Sequence, residues 1–208
     1  ARIEPAAGLP QRVTRIMAPA MDVAAHSTLL SPEAELSMYM VELGRGCSRG
    51  CRFCAAGFIY RPPRLWPAET ILRGLEARPA GVDRIGLLGM EMAAPETVDQ
   101  IATLLAANSC SLSFSSLRAD RITDQTLSLL AASRLKSVAI AADGCAARLR
   151  RLINKGLDEA ELRDAAGRLV ASGMFHLKHN GMVGLPTEKG EDRDEHVNLI
   201  DRLPARIL

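Results

Sequence analysis

The sequence predicts an α/β domain in which parallel strands alternate with helices. Short apolar stretches bounded by turn residues alternate with segments whose apolar residues recur every three or four positions, and this alternation repeats five times after residue 36. Strands separated by helices of this length pair in parallel through right-handed crossovers, so the sheet is either open and doubly wound or curved into a barrel. In both architectures, functional side chains lie at the carboxyl ends of the strands.

The elements are predicted in chain order from these patterns. Residues 1–36 contain four prolines and no sustained period, which is typical of a linker or docking segment, and residues 37–208 form the core domain. Strands are predicted at 37–43, 83–89, 111–117, 136–142 and 175–184, with the start of a sixth at 206–208. Helices are predicted at 66–77, 95–105, 123–132, 158–173 and 188–202.

Several helix ends carry residues that favour initiation or termination. Pro67 and Pro95 stand at first-turn positions, where the missing backbone N–H would have no partner within the helix. Asp158 with Glu161 has the spacing of a capping box, in which each side chain accepts from the other residue's backbone N–H. Gly173 follows the last apolar position of that helix, and we expect it to end the helix because glycine readily adopts the left-handed conformation.

The composition argues against nucleic acid and membrane as partners. The 26 basic and 24 acidic residues nearly cancel, and no block of like charge suits a phosphate backbone or an anionic membrane. No apolar run approaches the roughly 20 residues of a spanning helix, and the N-terminus lacks the apolar core of a signal peptide. We therefore expect a soluble, cytoplasmic protein. Because the chain begins without methionine and stops near a predicted strand, we also expect it to be part of a longer protein.

Three of the five cysteines, Cys47, Cys51 and Cys54, lie within eight residues in the loop after the first strand. Disulfides between them would close loops too small to stabilise the fold, so metal ligation by thiolates is the better explanation. The C-x3-C-x2-C spacing differs from that of electron-carrying ferredoxins and supplies three ligands, which leaves one iron of a 4Fe-4S cluster open for a substrate or cofactor. Glycines before and between the cysteines allow the loop to wrap closely around such a cluster.

The alternative for the same cysteines is a structural zinc site. Zinc would need a fourth ligand from Cys110, Cys145 or a histidine. Structural zinc sites are usually built from paired C-x2-C motifs, and the second pair is missing from this sequence. The spacing therefore favours the cluster.

With Phe53 directly before the last cysteine, the motif Cys47-x3-Cys51-x-Phe53-Cys54 resembles the signature of the radical S-adenosylmethionine (radical SAM) superfamily. The resemblance implies a partial (β/α)6 barrel of the TIM type, expected here to be truncated at its C-terminal end. It also implies that S-adenosylmethionine (SAM) chelates the open iron, and that an electron from the cluster cleaves SAM to a 5′-deoxyadenosyl radical. Phe53 is carried over as a cofactor-binding residue.

Further segments resemble the SAM-binding parts of the superfamily. Gly89, Met90 and Glu91 are similar to its Gly-Gly-Glu segment, which meets the amino group of SAM, although Met90 replaces the middle glycine. Ser115 and Arg118 stand at the end of the third strand and supply a hydroxyl and a guanidinium, groups that suit a carboxylate. Glu91 and Arg118 also have a structural alternative, as a solvated loop residue and an ion-pair residue.

The ends of the fourth and fifth strands supply the remaining candidates. Asp143 stands where radical SAM enzymes with a cobalamin-binding domain have an acidic residue that accepts from ribose hydroxyls, and it is shorter than the usual glutamate. Val183 and Leu185 resemble the segment that packs against the adenine, or are core residues of a barrel strand. His176 and His179 are three apart on one strand and face opposite sides, so they are not ligands of one ion.

The resemblance to the cobalamin-binding subgroup extends over the segments 42–46, 57–64, 149–156 and 184–188. Members of that subgroup methylate unactivated carbons or perform ring and skeletal chemistry. The resemblance therefore implies such chemistry on an unknown, small-molecule substrate, with cobalamin bound by a domain before residue 1. A reducing electron donor such as a flavodoxin or ferredoxin is implied as well. Residues 1–36 should then pack along the barrel.

Two other functions are compatible with the sequence. A methylthiotransferase of RNA or ribosomal protein has the same core, but it would need further cluster cysteines upstream and a basic C-terminal module, and these residues contain neither. A non-catalytic iron-sulfur scaffold or degenerate paralogue is suggested by the departures from the family pattern at Met90 and Asp143. Reductive cleavage of SAM would separate the scaffold from both enzymes.

Overall fold

The computed structural model describes residues 6–8, 12, 24–31, 33, 38–89, 93–133, 135, 137–174, 176–204 and 206–207. Its strands are β1 (Tyr39–Glu42), β2 (Gly44–Arg45), β3 (Arg64–Leu65), β4 (Arg84–Leu88), β5 (Ser111–Phe114), β6 (Ser137–Gly144), β7 (His176–Met182) and β8 (Arg206–Ile207). Its helices are α1 (Ala56–Ile59), α2 (Ala68–Glu76), α3 (Pro95–Ala107), α4 (Asp124–Ala132), α5 (Ala147–Leu152), α6 (Glu159–Ala171) and α7 (Gly190–Asp201), and a short 3-10 helix spans Ala119–Arg121.

Six parallel strands follow one another in chain order. β1, β4 and β5 form one parallel group, and β6, β7 and β8 form a second. A parallel bridge between Leu117 and Ile140 joins the two groups, since Leu117 N donates to Ala139 O at 2.8 Å and Ala141 N donates to Leu117 O at 3.2 Å. A doubly wound sheet reverses its strand order at a switch point, and this order has no reversal. The expected partial barrel is therefore confirmed.

The core lies between the strands and the surrounding helices. Alternate strand residues such as Val41, Leu87 and Ile140 are fully buried and join helix residues in one continuous apolar cluster. The hydroxyl of Tyr39 donates to Gly74 O at 2.9 Å, which ties α2 to β1. This packing fixes the positions of the strands, and the loops at their carboxyl ends are built on that rigid base.

The predicted helix boundaries are largely confirmed. The backbone N–H of Glu161 donates to Asp158 Oδ1 at 2.8 Å and that of Asp158 donates to Glu161 Oε2 at 2.8 Å, so the capping box at the start of α6 is present. Gly173 has φ +93°, the left-handed conformation expected after the helix. Within the described ranges, no helix is both long and apolar enough to cross a bilayer.

Some elements differ from the prediction or were missed by it. The predicted strand at 111–117 ends at Phe114, because the chain leaves the ladder before Leu117 pairs with β6. The short helices α1 and α5 and the antiparallel β2–β3 hairpin were not predicted. They span two to six residues each, too few to show a period, and all three lie at or next to the cysteine loop.

The described part of the predicted linker contacts the sheet. Ser27 N donates to Met40 O and Glu42 N donates to Ala25 O, each at 2.9 Å, so residues 25–27 add an antiparallel pairing to the outer edge of β1. Most of residues 1–23 lies outside the described residues. The assignment of 1–36 as a docking segment stays a prediction.

Candidate active site

The cysteine loop begins at the end of β2 and is enclosed by the β2–β3 hairpin. Cys51 is buried, Cys47 and Cys54 are partly exposed, and all three are free thiols. The backbone N–H of Arg49 points at Cys47 Sγ from 3.4 Å, and Cys54 N donates to Cys51 O at 3.1 Å. The loop therefore presents three thiol groups from one compact turn.

Gly46 fixes the entry of the chain into this loop. Its φ is +90°, and a Cβ at this position would lie 2.2 Å from the carbonyl oxygen of Tyr60. Any side chain would therefore collide with the backbone that returns toward β3. Glycine directly before Cys47 is a steric requirement of the fold.

The turn formed by residues 152–155, which begins at the last residue of α5, also holds the cysteine loop. Arg52 N donates to Ile153 O and Asn154 Nδ2 donates to Gly50 O, each at 2.8 Å. The guanidinium of Arg52 also donates to the carbonyl of Leu152. The sequence indicated this stretch only by its resemblance to the cobalamin subgroup, and the structure shows it in direct contact with the cysteine loop.

Arg118 reaches the cysteine loop from the chain that follows β5. Its side chain is only 8% exposed. Arg118 Nε donates to Asp120 Oδ1 at 2.9 Å, Nη2 donates to the carbonyl of Lys155 at 2.9 Å, and Nη1 lies 3.9 Å from Cys51 Sγ. The carboxylate that Arg118 contacts in this structure is Asp120, and its binding of the SAM carboxylate stays a prediction.

Asp120 and Arg118 stabilise each other's charged forms. Asp120 accepts from both Arg118 and Arg49, so it ties the buried guanidinium to the cysteine loop. Burial by itself would raise the pKa of Asp120, but the Arg118 hydrogen bond and the charges of Arg118, Arg49 and Arg121 lower it. Burial opposes the charge of Arg118, yet the hydrogen bond and charge of Asp120, with Cys51 and Cys47, raise the pKa of Arg118. Both groups are held in their charged forms.

Asp143 lies at the end of β6, on the same rim as the cysteine loop. It has φ +61° and follows a register shift in the pairing of β6 with β7. One of its oxygens, Oδ2, accepts from the ammonium of buried Lys155. Because the carbonyl of Lys155 accepts from Arg118, this lysine links Asp143 to the group beside Cys51.

The candidate residues that follow β4 and β5 differ in their surroundings. Gly89 has φ +80°, and a Cβ there would lie 2.9 Å from Gly44 O, so it packs closely behind the hairpin. Met90 and Glu91 lie outside the described residues. Ser115 is exposed, whereas the neighbouring hydroxyl of Ser116 accepts from Asn180 Nδ2 at 2.7 Å. Ser116 was not singled out in the sequence, because only the barrel curvature brings it to β7.

The three apolar candidates also differ in exposure. Phe53 is 44% exposed and Val183 is 72% exposed, so both are available to a ligand. Leu185 is partly buried against a small cluster that includes Cys145 and Leu149. For Leu185 the structure therefore supports the alternative role of a packing residue, and its contact with the adenine stays a prediction.

The residues considered for a zinc site do not join the cysteine loop. The thiol of Cys145 is buried and donates to Met182 O at 3.3 Å, and burial raises the pKa of Cys145. Cys110 precedes β5 at the opposite end of the sheet, where it borders cavities of about 570 and 450 Å³. His179 is packed against His196 of α7, with ring centroids 4.9 Å apart. No fourth zinc ligand is found among these residues.

The three cysteines fit a cluster by the chemistry of their donor set. In the part of the chain that the structure describes, no three histidine, cysteine, aspartate or glutamate side chains converge closely enough to hold a single metal ion. In a 4Fe-4S cluster each thiolate binds a different iron, so the sulfurs need not converge on one point. Three free thiols on one loop, with a backbone N–H directed at one of them, would suit such a group and leave one iron without a cysteine.

Comparison with known proteins identifies the family. The family model of the radical SAM superfamily matches residues 41–200. The uncharacterized protein MJ0966 of Methanocaldococcus jannaschii is 31% identical over 171 residues, which cover 81% of this chain and 38% of that protein. Every predicted metal ligand, and every other predicted site residue, lies within the matched range.

Two solved structures show the same fold. The radical SAM methyltransferase TsrM from Kitasatospora setae, with cobalamin and a 4Fe-4S cluster bound, has a TM-score of 0.66 at 16% identity, over 80% of this chain and 34% of that one. The cobalamin-dependent SAM radical enzyme OxsB has a TM-score of 0.62 at 17% identity, over 81% of this chain and 27% of that one. The chain thus spans about a third of the length of these relatives. By its sequence motif, its fold and the family match, this chain belongs to the radical SAM superfamily.

Proposed function

We propose that this chain is the catalytic core of a radical SAM enzyme that cleaves SAM reductively to a 5′-deoxyadenosyl radical. The observation that carries the proposal is the placement of the three-cysteine loop at the carboxyl ends of parallel strands, with Arg118 beside Cys51 and Asp143 on the same rim. In the family, a 4Fe-4S cluster supplies the electron and SAM supplies the radical. The residues of this chain would bind and orient these groups.

Each site residue has a defined task in this proposal. Cys47, Cys51 and Cys54 would hold the cluster. The second carboxylate oxygen of Asp143 has no donor among the described residues, so it could accept from the ribose hydroxyls while Oδ2 is held by Lys155. Exposed Val183 would contact the adenine.

Use of cobalamin is the finer part of the proposal. It is supported by the motifs around the cysteine loop and by the turn of residues 152–155, which belongs to the stretch that resembles the cobalamin subgroup and holds the loop directly. Of the two structurally similar proteins, OxsB is a cobalamin-dependent enzyme, and TsrM is a methyltransferase whose structure contains cobalamin. We propose methylation or skeletal chemistry on a small molecule, with cobalamin supplied by a domain outside these 208 residues.

The outer surface of the cysteine loop would suit an acidic electron donor. Between Glu42 and Glu69 the chain contains five arginines and no acidic residue. Arg52 and Arg61 are exposed there, and Arg61 lies over the ring of exposed Phe58 at 5.5 Å. A basic surface with exposed aromatic rings favours association with a negatively charged protein. We propose that a flavodoxin or ferredoxin binds at this surface.

The test is reductive cleavage of SAM by anaerobically reconstituted protein. We expect about four irons per chain and formation of 5′-deoxyadenosine when dithionite and SAM are added. Replacing Cys47, Cys51 or Cys54 with Ala should abolish both, whereas Cys110→Ala and Cys145→Ala should keep the cluster.

The same experiment separates the alternatives. A wild-type protein that binds four irons but never cleaves SAM would return the scaffold hypothesis to first place. A cluster that is lost equally in Cys110→Ala would refute the three-cysteine assignment. Transfer of a methylthio group to RNA or ribosomal protein by the active enzyme would favour the methylthiotransferase instead.

A further inference from the structure

Arg118 is buried, and one of its guanidinium nitrogens is directed at Cys51 rather than at open solvent. We propose that Arg118, anchored by Asp120, is a positioning residue for Cys51 that makes the bound cluster easier to reduce. This inference rests on the proposed function, because it requires a cluster on the three cysteines. It assigns Arg118 to the cluster rather than to the carboxylate of SAM.

The contacts leave the guanidinium little freedom to serve another group. Nε donates to Asp120 Oδ1 at 2.9 Å, and Nη2 donates both to the carbonyl of Lys155 at 2.9 Å and to Asp120 Oδ2 at 3.4 Å. Nη1 directs a further N–H toward Cys51 Sγ at 3.9 Å. Four of the five N–H groups of an arginine are thereby engaged. A bidentate contact with the carboxylate of a cofactor would require breaking this arrangement.

Asp120 makes the arrangement rigid. The carboxylate is also bound by Arg49, which lies between Cys47 and Cys51 on the cysteine loop. The pair Arg118–Asp120 therefore holds the loop at two points, through the thiol of Cys51 and through the side chain of Arg49. A buried charge that is fixed from several sides cannot turn away when the charge of the cluster changes.

The positive charge of Arg118 affects how readily the bound cluster accepts an electron. Reduction adds one negative charge to a cluster whose thiolates are already negative. The reduction potential of such a cluster depends on its net charge, on its exposure and on hydrogen bonds to its sulfurs. A buried guanidinium 3.9 Å from the sulfur of Cys51 stabilises the reduced form more than the oxidised form, because the attraction grows with the added charge.

The experiment compares cluster reduction potentials in anaerobically reconstituted protein. Arg118→Gln removes the charge, and Arg118→Lys keeps a charge but cannot hold Asp120 and Cys51 together. Arg121→Gln removes an exposed arginine from the short helix that follows Arg118. We expect Arg118→Gln to lower the ratio of reduced to oxidised cluster at a fixed potential at least tenfold, which is about 59 mV for one electron. Arg118→Lys should shift in the same direction by less, and Arg121→Gln, which removes a solvent-exposed charge, should shift the potential least.

The outcomes separate this inference from the proposed function. If the wild type forms no cluster or never cleaves SAM, the proposed function fails. If the wild type does both, but Arg118→Gln has the wild-type potential or Arg121→Gln shifts as far, only the role of Arg118 is refuted. Should Arg118→Gln not assemble a cluster, the potential of Arg118→Lys decides, and a wild-type value there would refute the proposal.

Discussion

The ammonium of Lys155 is paired with the carboxylate of Asp143, and both side chains are mostly buried at the rim of the barrel. Lys155 also belongs to the turn that holds the cysteine loop, since its carbonyl accepts from Arg118. Lys155 thus joins Asp143, which is predicted to bind ribose, to Arg118, which lies beside a predicted cluster ligand.

The first prediction concerns this pair. Lys155→Met should lower the free energy of unfolding by about 3 kcal/mol, because it leaves the carboxylate of Asp143 buried without its partner. The same variant should weaken SAM binding, since Asp143 would no longer be held in place. Arg202→Gln is the control, because it breaks the pair with Glu159, in which the two side chains are 48% and 35% exposed, and should cost less than about 1 kcal/mol. Denaturant unfolding and equilibrium binding measure both effects, and equal losses in the two variants would contradict the expectation.

The second prediction concerns Gly46. Gly46→Ala should reduce the iron content strongly, because the new Cβ would meet the carbonyl of Tyr60 and displace the start of the cysteine loop. Gly156→Ala is a matched control, since Gly156 also has a positive φ but a Cβ added there would have no neighbouring atom within 4 Å. The control should cost only the strain of the left-handed conformation, about 1 to 2 kcal/mol, and should keep its iron. Iron analysis after reconstitution tests this, and a full cluster in Gly46→Ala would disprove the steric requirement.

The third prediction concerns the basic surface of the cysteine loop. The double substitution Arg52→Glu and Arg61→Glu should lower kcat/KM for an acidic electron donor about tenfold or more at low salt. Arg163→Glu, an equally exposed change on α6, should have little effect. The rate with dithionite, a small reductant that needs no docking surface, shows whether the loop itself is damaged. Unchanged kinetics with the protein donor would exclude this surface as the docking site.

The fourth prediction concerns His179 and the pH dependence of stability. The pKa of His179 is lowered to about 4, mainly by burial and also by the charges of His196 and Arg150, against the opposing effect of Asp143. Neither ring nitrogen has a hydrogen-bond partner among the described residues. An unfolded histidine has a pKa of about 6.5, so the unfolded chain takes up a proton at this residue before the folded chain does as the pH falls. The free energy of unfolding should therefore decrease between about pH 6.5 and pH 4.

The variants for this test lie on the same strand. His179→Gln should remove this contribution, whereas His176→Gln, three positions away on β7, should keep the wild-type dependence. Denaturant midpoints at several pH values provide the measurement. If both variants retain the same slope, His179 is not the group responsible.

The alternation of strands and helices could be predicted because the apolar residues of a buried face recur at the spacing of the strand or helix that carries them. The capping box at Asp158 and the terminator Gly173 could be predicted for a similar reason, since both are local interactions within a few residues. The cysteine motif was recognisable because its three predicted ligands are also close in sequence. These features depend on short stretches of chain, which a single sequence displays directly.

The contacts that complete the site join distant parts of the chain and leave no such pattern. Arg52 meets Leu152, which is 100 residues further along, and Ser116 meets Asn180 across 64 residues. The partner of Arg118 could be suspected from Asp120, two residues away, but its approach to Cys51 depends on the curvature of the sheet. His179 and His196 meet only because α7 folds back on β7.

The contact between Gly50 and Asn154 bears on when the chain can take up metal during its synthesis. These residues are 104 positions apart, so the support for the cysteine loop is synthesised long after the cysteines have left the ribosome. Until α5 and the turn after it have folded, the thiols are exposed on an unsupported loop, where oxidation competes with metal uptake. We therefore expect iron and sulfide to be inserted into a chain that is already folded. Nascent chains arrested before residue 150 should accept little cluster, whereas a released chain that contains all 208 residues should accept it fully.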